Sequence, residues 1–284
     1  MASPGTRPFV RMNGAGNDFV VVNALETPFT PTAEQARAIA DRETGQGCDQ
    51  LIAIEPPGPG ERRADAFMRV WNADGGQVET CGNALRCVGW LLMESTGKDS
   101  VVIDTLGGPT TATRAGPHQV RVDMGKPALD WTEIPLAEAM DTRGIELQVG
   151  PIDAPILHTP GAVSMGNPHV VFFTDRQDDA FVRGSGSLVE HHPLFPEGVN
   201  VGFANVLAPD RIRLRVWERG AGLTKACGTG ACAALVATAR RGLTGRHAVI
   251  EADGGELRID WDEATGHVFM TGPVEIEGTG TLRQ

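Results

Sequence analysis

The most constraining feature of the sequence is an internal repeat. Residues 69–82 read RVWNADGGQVETCG and residues 215–228 read RVWERGAGLTKACG, so that Arg, Val, Trp, Gly, Cys and Gly coincide at an offset of 146. A second block, VIDTLGG from Val102, matches VIEADGG from Val249 at an offset of 147. Because the offset is close to half of the 284 residues, the repeat predicts two pseudo-symmetric domains of one design.

Both copies contain the same predicted order of elements. A short apolar strand leads into a glycine-containing loop, the loop ends at Cys-Gly, and an apolar helix follows. Both helices are apolar over most of their circumference, so each is expected to lie centrally within a sheet. The predicted helices cover residues 32–42, 83–95 (stopped by Gly97) and 229–241, and the predicted strands cover 66–71, 100–104, 119–123, 212–217, 247–251, 256–260 and 268–271.

Composition restricts the function classes. A formal net charge of −11 argues against nucleic acid as a partner, because binding to phosphate backbones depends on concentrated Lys and Arg. No run of eighteen apolar residues occurs, so no membrane partner is expected. Five cysteines in a long chain suit a reducing compartment with free thiols, which predicts a cytoplasmic protein.

Two of the five cysteines occupy equivalent positions in the repeat. Cys81 and Cys227 each precede a glycine at the predicted start of a helix, where unpaired N–H groups and the helix dipole lower a thiol pKa and bind carboxylates. The spacings from these residues to Cys87 and Cys232 are not those of a structural zinc site, so no metal is expected. Cys48, Cys87 and Cys232 are expected to be buried and inert.

The duplicated Cys-Gly suits proton transfer at one carbon. If the halves pack about a pseudo-two-fold axis, the two thiols would face one another across the domain cleft. One thiolate would then remove the α-proton of an amino acid while the opposite thiol protonates the other face. The helix ends would hold the α-carboxylate, and domain closure would exclude water.

Two cofactor-dependent interpretations are weaker. GTGACA from Gly228 fits a dinucleotide-binding fingerprint, and Glu251 follows roughly twenty residues later. That fingerprint needs a strand ending at the first glycine, whereas nine residues, 218–226, follow the predicted strand here. A pyridoxal enzyme needs a Schiff-base lysine, and the three lysines, Lys98, Lys126 and Lys225, stand in no persuasive setting. The sequence therefore favours a mechanism without a cofactor.

Ordered motifs along the chain resemble the diaminopimelate epimerase family. The motifs are GAGNDF (14–19), CDQL (48–51), FMRVWNADG (67–75), CGNALRC (81–87), SMGNPH (164–169), VNVGF (199–203), WERGAGLTKACGTGACA (217–233) and MTGP (270–273). The resemblance implies an α/β (α+β) fold with two similar domains, each a curled, mostly antiparallel sheet around a central helix. It places the N-terminal half at residues 1–126, joined by a returning strand at 273–284, and the C-terminal half at 127–272.

The same resemblance implies the reaction and its residues. It predicts a pyridoxal-independent interconversion of LL- and meso-2,6-diaminopimelate, in lysine and peptidoglycan precursor synthesis, by a homodimer. Cys81 and Cys227 match the two acid–base residues. The positions that match substrate-binding residues are Asn17, Gln50, Asn72, Gly82, Asn83, Asn167, Asn200, Glu218, Arg219, Gly228 and Thr229. Arg219 can grip a carboxylate bidentately and Glu218 can accept from an ammonium, as the second amino-acid end of this substrate requires.

Two departures from the family pattern and two alternative functions remain. Asn13 stands where relatives commonly have His, and Ala84 where they commonly have Gly. One alternative is a proline or hydroxyproline-type racemase of the same superfamily, whose substrate has one amino-acid end and no need of Arg219. The other is a small-molecule binding protein without catalysis, against which the retention of both Cys81 and Cys227 argues.

Overall fold

The structure, a computed structural model, describes residues 6–58 and 64–283. It divides the chain into two compact units, residues 1–123 with 271–284 (unit 1) and residues 124–270 (unit 2). The domain boundaries predicted from the sequence, 126/127 and 272/273, remain predictions. Each described unit is built mainly of strands and carries one long, buried helix.

Unit 1 combines a small surface helix, a central helix and nine strands among its described residues. In chain order these are β1 (Thr6–Gly14), β2 (Asn17–Asn23), α1 (Ala33–Ala40), β3 (Gln50–Glu55), β4 (Ala66–Asn72), β5 (Gln77–Val78), α2 (Gly82–Thr96), β6 (Ser100–Asp104), β7 (Thr110–Gly116), β8 (Gln119–Asp123) and, at the end of the chain, β19 (Glu275–Arg283). The pairs β1–β2, β3–β4, β4–β5, β6–β7 and β7–β8 are antiparallel, while β2–β3 and β4–β6 are parallel. β19 returns to pair antiparallel with β1.

Unit 2 repeats this design after a small hairpin. Its elements are β9 (Gln148–Val149), β10 (Leu157–His158), β11 (Gly161–Ser164), β12 (Pro168–Phe173), α3 (Asp179–Glu190), β13 (Asn200–Ala208), β14 (Arg211–Glu218), β15 (Gly222–Thr224), α4 (Gly228–Arg240), β16 (His247–Ala252), β17 (Gly255–Trp261) and β18 (Val268–Pro273), which runs past the division at residue 270. β11–β12, β13–β14, β14–β15 and β16–β17 are antiparallel, while β12–β13 and β14–β16 are parallel.

The two lists of pairings are the same from β1 to β7 and from β11 to β17. Along the chain, α1 follows β2 and α3 follows the equivalent strand β12. The long helix of each unit lies in sequence between two strands that pair in parallel, β4 and β6 in unit 1 and β14 and β16 in unit 2. The long helices α2 and α4 pack against several strands of their own unit, and most of their residues are buried. The predicted fold, two pseudo-symmetric domains of mostly antiparallel sheet around a central helix, is confirmed.

Local sequence explains where the central helix of unit 1 starts and stops. Cys81 is its N-cap, with an extended backbone at φ −145° and ψ 114°. Gly97 ends it in the left-handed conformation, φ 71°, and donates its N–H to the carbonyl of Met93. Gly89 lets the helix approach β7, because a Cβ there would lie 2.6 Å from Cβ of Ala112. The helix therefore approaches β7 closely at Gly89.

The predicted elements all occur, within two residues at most ends, but several others were missed. Helix α3 is one, since its sequence DAFVRGSGSLVE contains two Gly and two Ser, which have low helix propensity. The edge strands β5 and β15 also lie inside segments that were predicted as loops. Among the described residues, no helix is both long and apolar enough to cross a membrane.

Candidate active site

Each unit places one cysteine at the N-terminus of its central helix. Cys81 caps α2 and Cys227 caps α4, both with extended backbones and both half-buried. The first helical residues after them, Gly82 and Gly228, are buried. A thiol in this position lies beside helix N–H groups that have no intrahelical acceptor, an environment that favours the thiolate and attracts carboxylates.

The Cys227 thiol is in direct contact with the first turn of its helix. The N–H of Gly230 donates to Sγ at 3.3 Å, and the Thr229 hydroxyl lies 3.6 Å from the same sulfur. A Cβ at position 230 would lie 3.1 Å from Sγ and 3.1 Å from Cγ2 of Val216. Glycine at position 230 therefore allows the sulfur to approach the backbone.

In unit 1, the side chains near Cys81 form a chain of hydrogen bonds. Arg86 Nη1 donates to Oδ1 of Asn83 at 2.8 Å, and Asn83 Nδ2 donates to Oδ1 of Asn17 at 2.9 Å. Asn17 Nδ2 then donates to Oδ2 of Asp49 at 2.8 Å, while Arg42 Nη2 donates to the other oxygen of Asp49 at 2.7 Å. A charged group at each end of the chain fixes which atom of each amide faces which way.

A second polar pair in unit 1 leaves an acceptor open. Gln50 on β3 and Asn72 on β4 are register partners, and Gln50 Nε2 donates to Oδ1 of Asn72 at 2.9 Å. The Gln50 Oε1 atom is buried and has no hydrogen-bond partner among the described residues. Because buried acceptors are nearly always paired, this oxygen is suited to receive an N–H from a ligand, such as an ammonium group.

In unit 2, His169 connects two residues that were predicted from the sequence. Its Nε2 lies 3.0 Å from Oδ1 of Asn167 and 3.0 Å from Oγ1 of Thr229, which follows Cys227 and Gly228. Burial of the ring, with a smaller effect of the Arg219 charge, lowers the pKa of His169 from 6.5 to about 3. The imidazole is therefore neutral at physiological pH.

This lowered pKa predicts that acid destabilises the protein through His169. The unfolded chain binds a proton at this residue below pH 6.5, whereas the folded chain does not until about pH 3, so stability is lost as the pH falls through this window. Between pH 6.5 and pH 5 the expected loss is about 2 kcal/mol in the free energy of unfolding. Urea titrations across this range should show a flatter pH dependence for His169→Gln, and no such change for the exposed His158→Gln. Equal slopes for all three proteins would contradict the prediction.

The two charged residues predicted to bind substrate lie where β14 ends: Glu218 is its last residue, and Arg219 begins the turn that follows. The Thr224 hydroxyl donates to Oε1 of Glu218 at 2.5 Å. The backbone N–H of Arg219 donates to Oδ1 of Asn200 at 2.9 Å, and its Nη1 donates to the carbonyl of Glu197 at 2.9 Å. Asn200, in turn, donates from Nδ2 to the carbonyl of Pro168 at 2.9 Å. Thr224 at the end of β15 therefore holds the Glu218 carboxylate, and the carbonyl of Glu197 holds the Arg219 guanidinium.

The sequence-predicted residues are thus divided between the two units. Unit 1 holds Asn17, Gln50, Asn72, Cys81, Gly82 and Asn83, and unit 2 holds Asn167, Asn200, Glu218, Arg219, Cys227, Gly228 and Thr229. Sequence reasoning gave no role to the residues that orient them, namely Asp49, Arg86, His169, Glu190 and Thr224. A signal existed for Arg86, the one charged residue in the apolar segment 82–93, and for His169, which lies within the motif SMGNPH.

The two departures from the family pattern fit locally. Asn13 Oδ1 accepts the N–H of Gly16 at 2.8 Å, and its Nδ2 donates to Oε1 of Glu277 at 3.1 Å. Asn13 therefore braces the tight turn before Asn17. Ala84 is buried in the first turn of α2, where alanine has a higher helix propensity than glycine. Within the described residues no cluster of three His, Cys, Asp or Glu side chains is placed to hold a metal ion.

Comparison with known proteins identifies relatives over nearly the whole chain. The family model described as diaminopimelate epimerase matches residues 9–129 and 161–277. A protein of Caulobacter sp. (strain K31) named diaminopimelate epimerase is 63% identical, over 98% of each chain. One of the same name from Phenylobacterium zucineum (strain HLK1) is 61% identical, over 99% of this chain and 100% of the relative.

Solved structures share the fold at low sequence identity. A hydroxyproline epimerase from Agrobacterium vitis superimposes with a TM-score of 0.67 at 16% identity, over 99% of this chain and 94% of the other. A probable proline racemase from Agrobacterium radiobacter K84 gives 0.64 at 20% identity, over 96% and 92%. A protein of the phenazine biosynthesis PhzF family from Enterococcus faecalis gives 0.65 at 13% identity, over 98% and 100%. These likenesses support the fold alone.

Proposed function

The chain belongs to the diaminopimelate epimerase family, and on that premise we propose that it interconverts LL- and meso-2,6-diaminopimelate, a reaction of lysine and peptidoglycan precursor synthesis. The observation that carries the proposal is the identity of more than 60% to relatives of that name over nearly full length. A cysteine at the N-terminus of the central helix of each unit agrees with it.

Cys81 and Cys227 are the two acid–base groups in this proposal. One cysteine, as the thiolate, takes the proton from the α-carbon, so the C–H bond breaks and an S–H bond forms. The other, as the thiol, gives its proton to the opposite face of the same carbon, and the stereocentre is inverted. At the end of the turnover the two cysteines have exchanged protonation states, so the enzyme runs in either direction.

The first turns of the central helices stabilise the charge that develops during this transfer. Removing an α-proton increases negative charge on the carboxylate beside that carbon. The backbone N–H groups at Gly82–Asn83 and Gly228–Thr229 are the groups proposed to bind it, since helix N-termini offer unpaired donors and a positive dipole end. This stabilisation is the work that an electron-accepting cofactor would otherwise do, and we propose that none takes part.

The remaining predicted residues bind the substrate. Diaminopimelate has a second amino-acid end, which does not react and which carries both a carboxylate and an ammonium group. Arg219 suits the carboxylate and Glu218 the ammonium, while the amides Asn17, Gln50, Asn72, Asn167 and Asn200 supply further donors and acceptors. The open acceptor Oε1 of Gln50 supports a ligand N–H at that position. A proline-type substrate would leave Glu218 and Arg219 without a role.

Deuterium exchange tests the proposed reaction and separates it from the alternatives. In D₂O the protein is expected to incorporate deuterium at an α-carbon of LL-diaminopimelate and to form the meso isomer, as followed by NMR and chiral chromatography. L-Proline and trans-4-hydroxy-L-proline, incubated in parallel, should show neither change. Exchange of proline in preference to diaminopimelate would establish the racemase alternative, and binding of diaminopimelate without exchange would establish the non-catalytic one.

We also propose that the protein works as a homodimer in the cytoplasm. The five cysteines, all within the described residues, form no disulfide, as suits a reducing compartment. The homodimer is supported by the family resemblance. Sedimentation velocity at micromolar concentration, with twice the chain mass expected, and fractionation of cells check the two proposals.

A further inference from the structure

A buried carboxylate lies behind the turn that carries Glu218 and Arg219. Glu190, the last residue of α3, is 6% exposed. Its Oε2 accepts the indole N–H of Trp217 at 2.7 Å, and its Oε1 accepts the backbone N–H of Gly220 at 2.8 Å. One carboxylate therefore holds the residue immediately before and the residue immediately after the pair that is proposed to bind substrate.

The turn has little freedom around these two anchors. Gly220 has φ +75°, a left-handed conformation that favours glycine, and the N–H of Ala221 closes the turn onto the carbonyl of Glu218 at 3.1 Å. With both flanks held by Glu190, the Cα positions of Glu218 and Arg219 are set by α3. The equivalent positions in the first copy of the repeat are Asn72 and Ala73, so this charged pair belongs to unit 2 alone.

Helix α3 is itself fixed against the turn. A Cβ at Gly186 would lie 2.5 Å from Cβ and 2.6 Å from Cγ of Trp217, so the helix backbone packs directly on that residue. After the helix, the chain reaches Gly198, where a Cβ would lie 3.1 Å from Cδ of Arg219 and 3.3 Å from the carbonyl of Glu190. The stem of Arg219 therefore lies against the segment that follows Glu190.

The charge on Glu190 suits the two donors that it faces. Burial raises the pKa of this carboxyl, but the hydrogen bonds from Trp217 and Gly220, together with the charges of His191 and Arg219, outweigh burial and lower it. Each oxygen of the carboxylate therefore accepts one N–H. A glutamine in its place would keep one acceptor and turn an NH₂ group toward the other donor.

We propose that Glu190 is a positioning residue that sets how tightly the protein binds the non-reacting end of diaminopimelate, by fixing the turn that carries Glu218 and Arg219. The inference rests on the proposed function. The non-reacting end is bound alike before and during proton transfer, so a fault in its binding raises KM and leaves kcat nearly unchanged. A purely structural role would instead lower the amount of active enzyme, and kcat with it.

Glu190→Gln is the direct test. KM for LL-diaminopimelate is expected to rise about tenfold, the effect of a lost charge-assisted hydrogen bond, while kcat changes less than about twofold. Glu256→Gln, which alters an exposed carboxylate of the same unit that pairs with Arg211, is the matched control and should leave both constants unchanged. Titration calorimetry with meso-diaminopimelate should give the same tenfold loss of affinity for Glu190→Gln.

Coupling to Arg219 separates positioning from a general effect. In an Arg219→Gln background the guanidinium is already gone, so adding Glu190→Gln should raise KM clearly less than tenfold. Trp217→Phe, which removes one donor and leaves the Gly220 contact, should raise KM in the same direction by a smaller factor. It also tests the proposal should Glu190→Gln fail to fold.

The outcomes are distinguishable from failure of the proposed function. If the unaltered protein does not exchange the α-proton of LL-diaminopimelate, the function itself is wrong. If the unaltered protein is active and Glu190→Gln has an unchanged KM, or loses kcat alone, or adds its full effect to that of Arg219→Gln, the positioning role is wrong. Unchanged kinetics in a folded Trp217→Phe protein would likewise overturn it.

Discussion

Replacing either Cys81 or Cys227 by alanine is expected to lower the rate of diaminopimelate epimerisation about a thousandfold, the usual scale for loss of a general acid or base. Each inversion needs one group to remove a proton and another to deliver one, so neither thiol can serve alone. The effect should appear in kcat, because proton transfer takes place only after the substrate is bound. Chiral chromatography of quenched reactions measures inversion, and deuterium incorporation from D₂O measures exchange of the α-proton.

Each of these variants has a matched control in its own helix. Cys87 lies six residues after Cys81 in α2, and Cys232 lies five residues after Cys227 in α4; both are fully buried. Burial raises the pKa of Cys87 to about 12, so it stays a protonated thiol. Cys87→Ala and Cys232→Ala should retain kcat within about twofold in folded protein, since neither thiol takes part in the transfer. Full inversion by Cys81→Ala or Cys227→Ala would rule out the two-base mechanism.

Arg86→Met is expected to destabilise the protein by about 3 kcal/mol, because it removes donors from buried acceptors. Arg86 is 0% exposed and donates from Nη1 to Asn83 at 2.8 Å and from Nε to the carbonyl of Pro273 at 3.4 Å. Methionine fills much of the same volume but donates nothing. The expected fall in melting temperature is about 6 to 12 °C for a protein of this size, measured by calorimetry.

The same variant should impair activity beyond its effect on stability. Without Arg86 the Oδ1 atom of Asn83 loses its charged donor, and the amide is free to rotate away from Asn17. Arg258→Met, at an exposed position of β17, is the control and should change neither the melting temperature nor the kinetics. A buried ion can be replaced by an apolar side chain without loss in some proteins. An Arg86→Met protein with an unchanged melting temperature would place this residue among those cases.

The repeat explains why so much of the fold could be predicted. Two copies of RVW and of Cys-Gly defined equivalent strands and helices, and the pairing of β4 with β6 and of β14 with β16 has the same parallel sense in the structure. Gly97 was predicted to end α2 from its position alone, since a left-handed C-terminal residue strongly favours glycine. Local signals of this kind are sufficient where propensity and packing agree.

Helix α3 could not be predicted because packing, and not propensity, determines it. Gly186 has low helix propensity, yet its missing side chain is what allows the helix to lie on Trp217. Apolar residues interrupted by Gly-Ser-Gly-Ser are typical of a loop, and the contact with Trp217 is known only from the folded chain. The Asp178 N-cap, which accepts the N–H of Phe181 at 3.0 Å, is a local sign of the helix.

The residues of the candidate site show the same contrast between what the sequence predicts and what only the fold reveals. Residues within dense motifs, such as Asn83 and Thr229, could be assigned from the sequence resemblance. Glu190 stands 27 residues from Trp217 and outside the motifs, so nothing in the sequence alone connects the two. Asp49 and Asn17 both lie within motifs, but they are 32 residues apart and meet only because β2 and β3 lie side by side. Long-range hydrogen bonds of this kind require the folded chain.

The pairing of β1 with β19 has a consequence for how the chain is made. β1 leaves the ribosome long before its partner residues, 275–283, which are synthesised some 260 residues later. The nascent chain can complete the strand pairings within unit 2 while the backbone donors and acceptors on one edge of β1 are still unpaired. Unit 1 can therefore complete its sheet only after unit 2 has been synthesised, and molecular chaperones can act on the open edge of β1 throughout that interval.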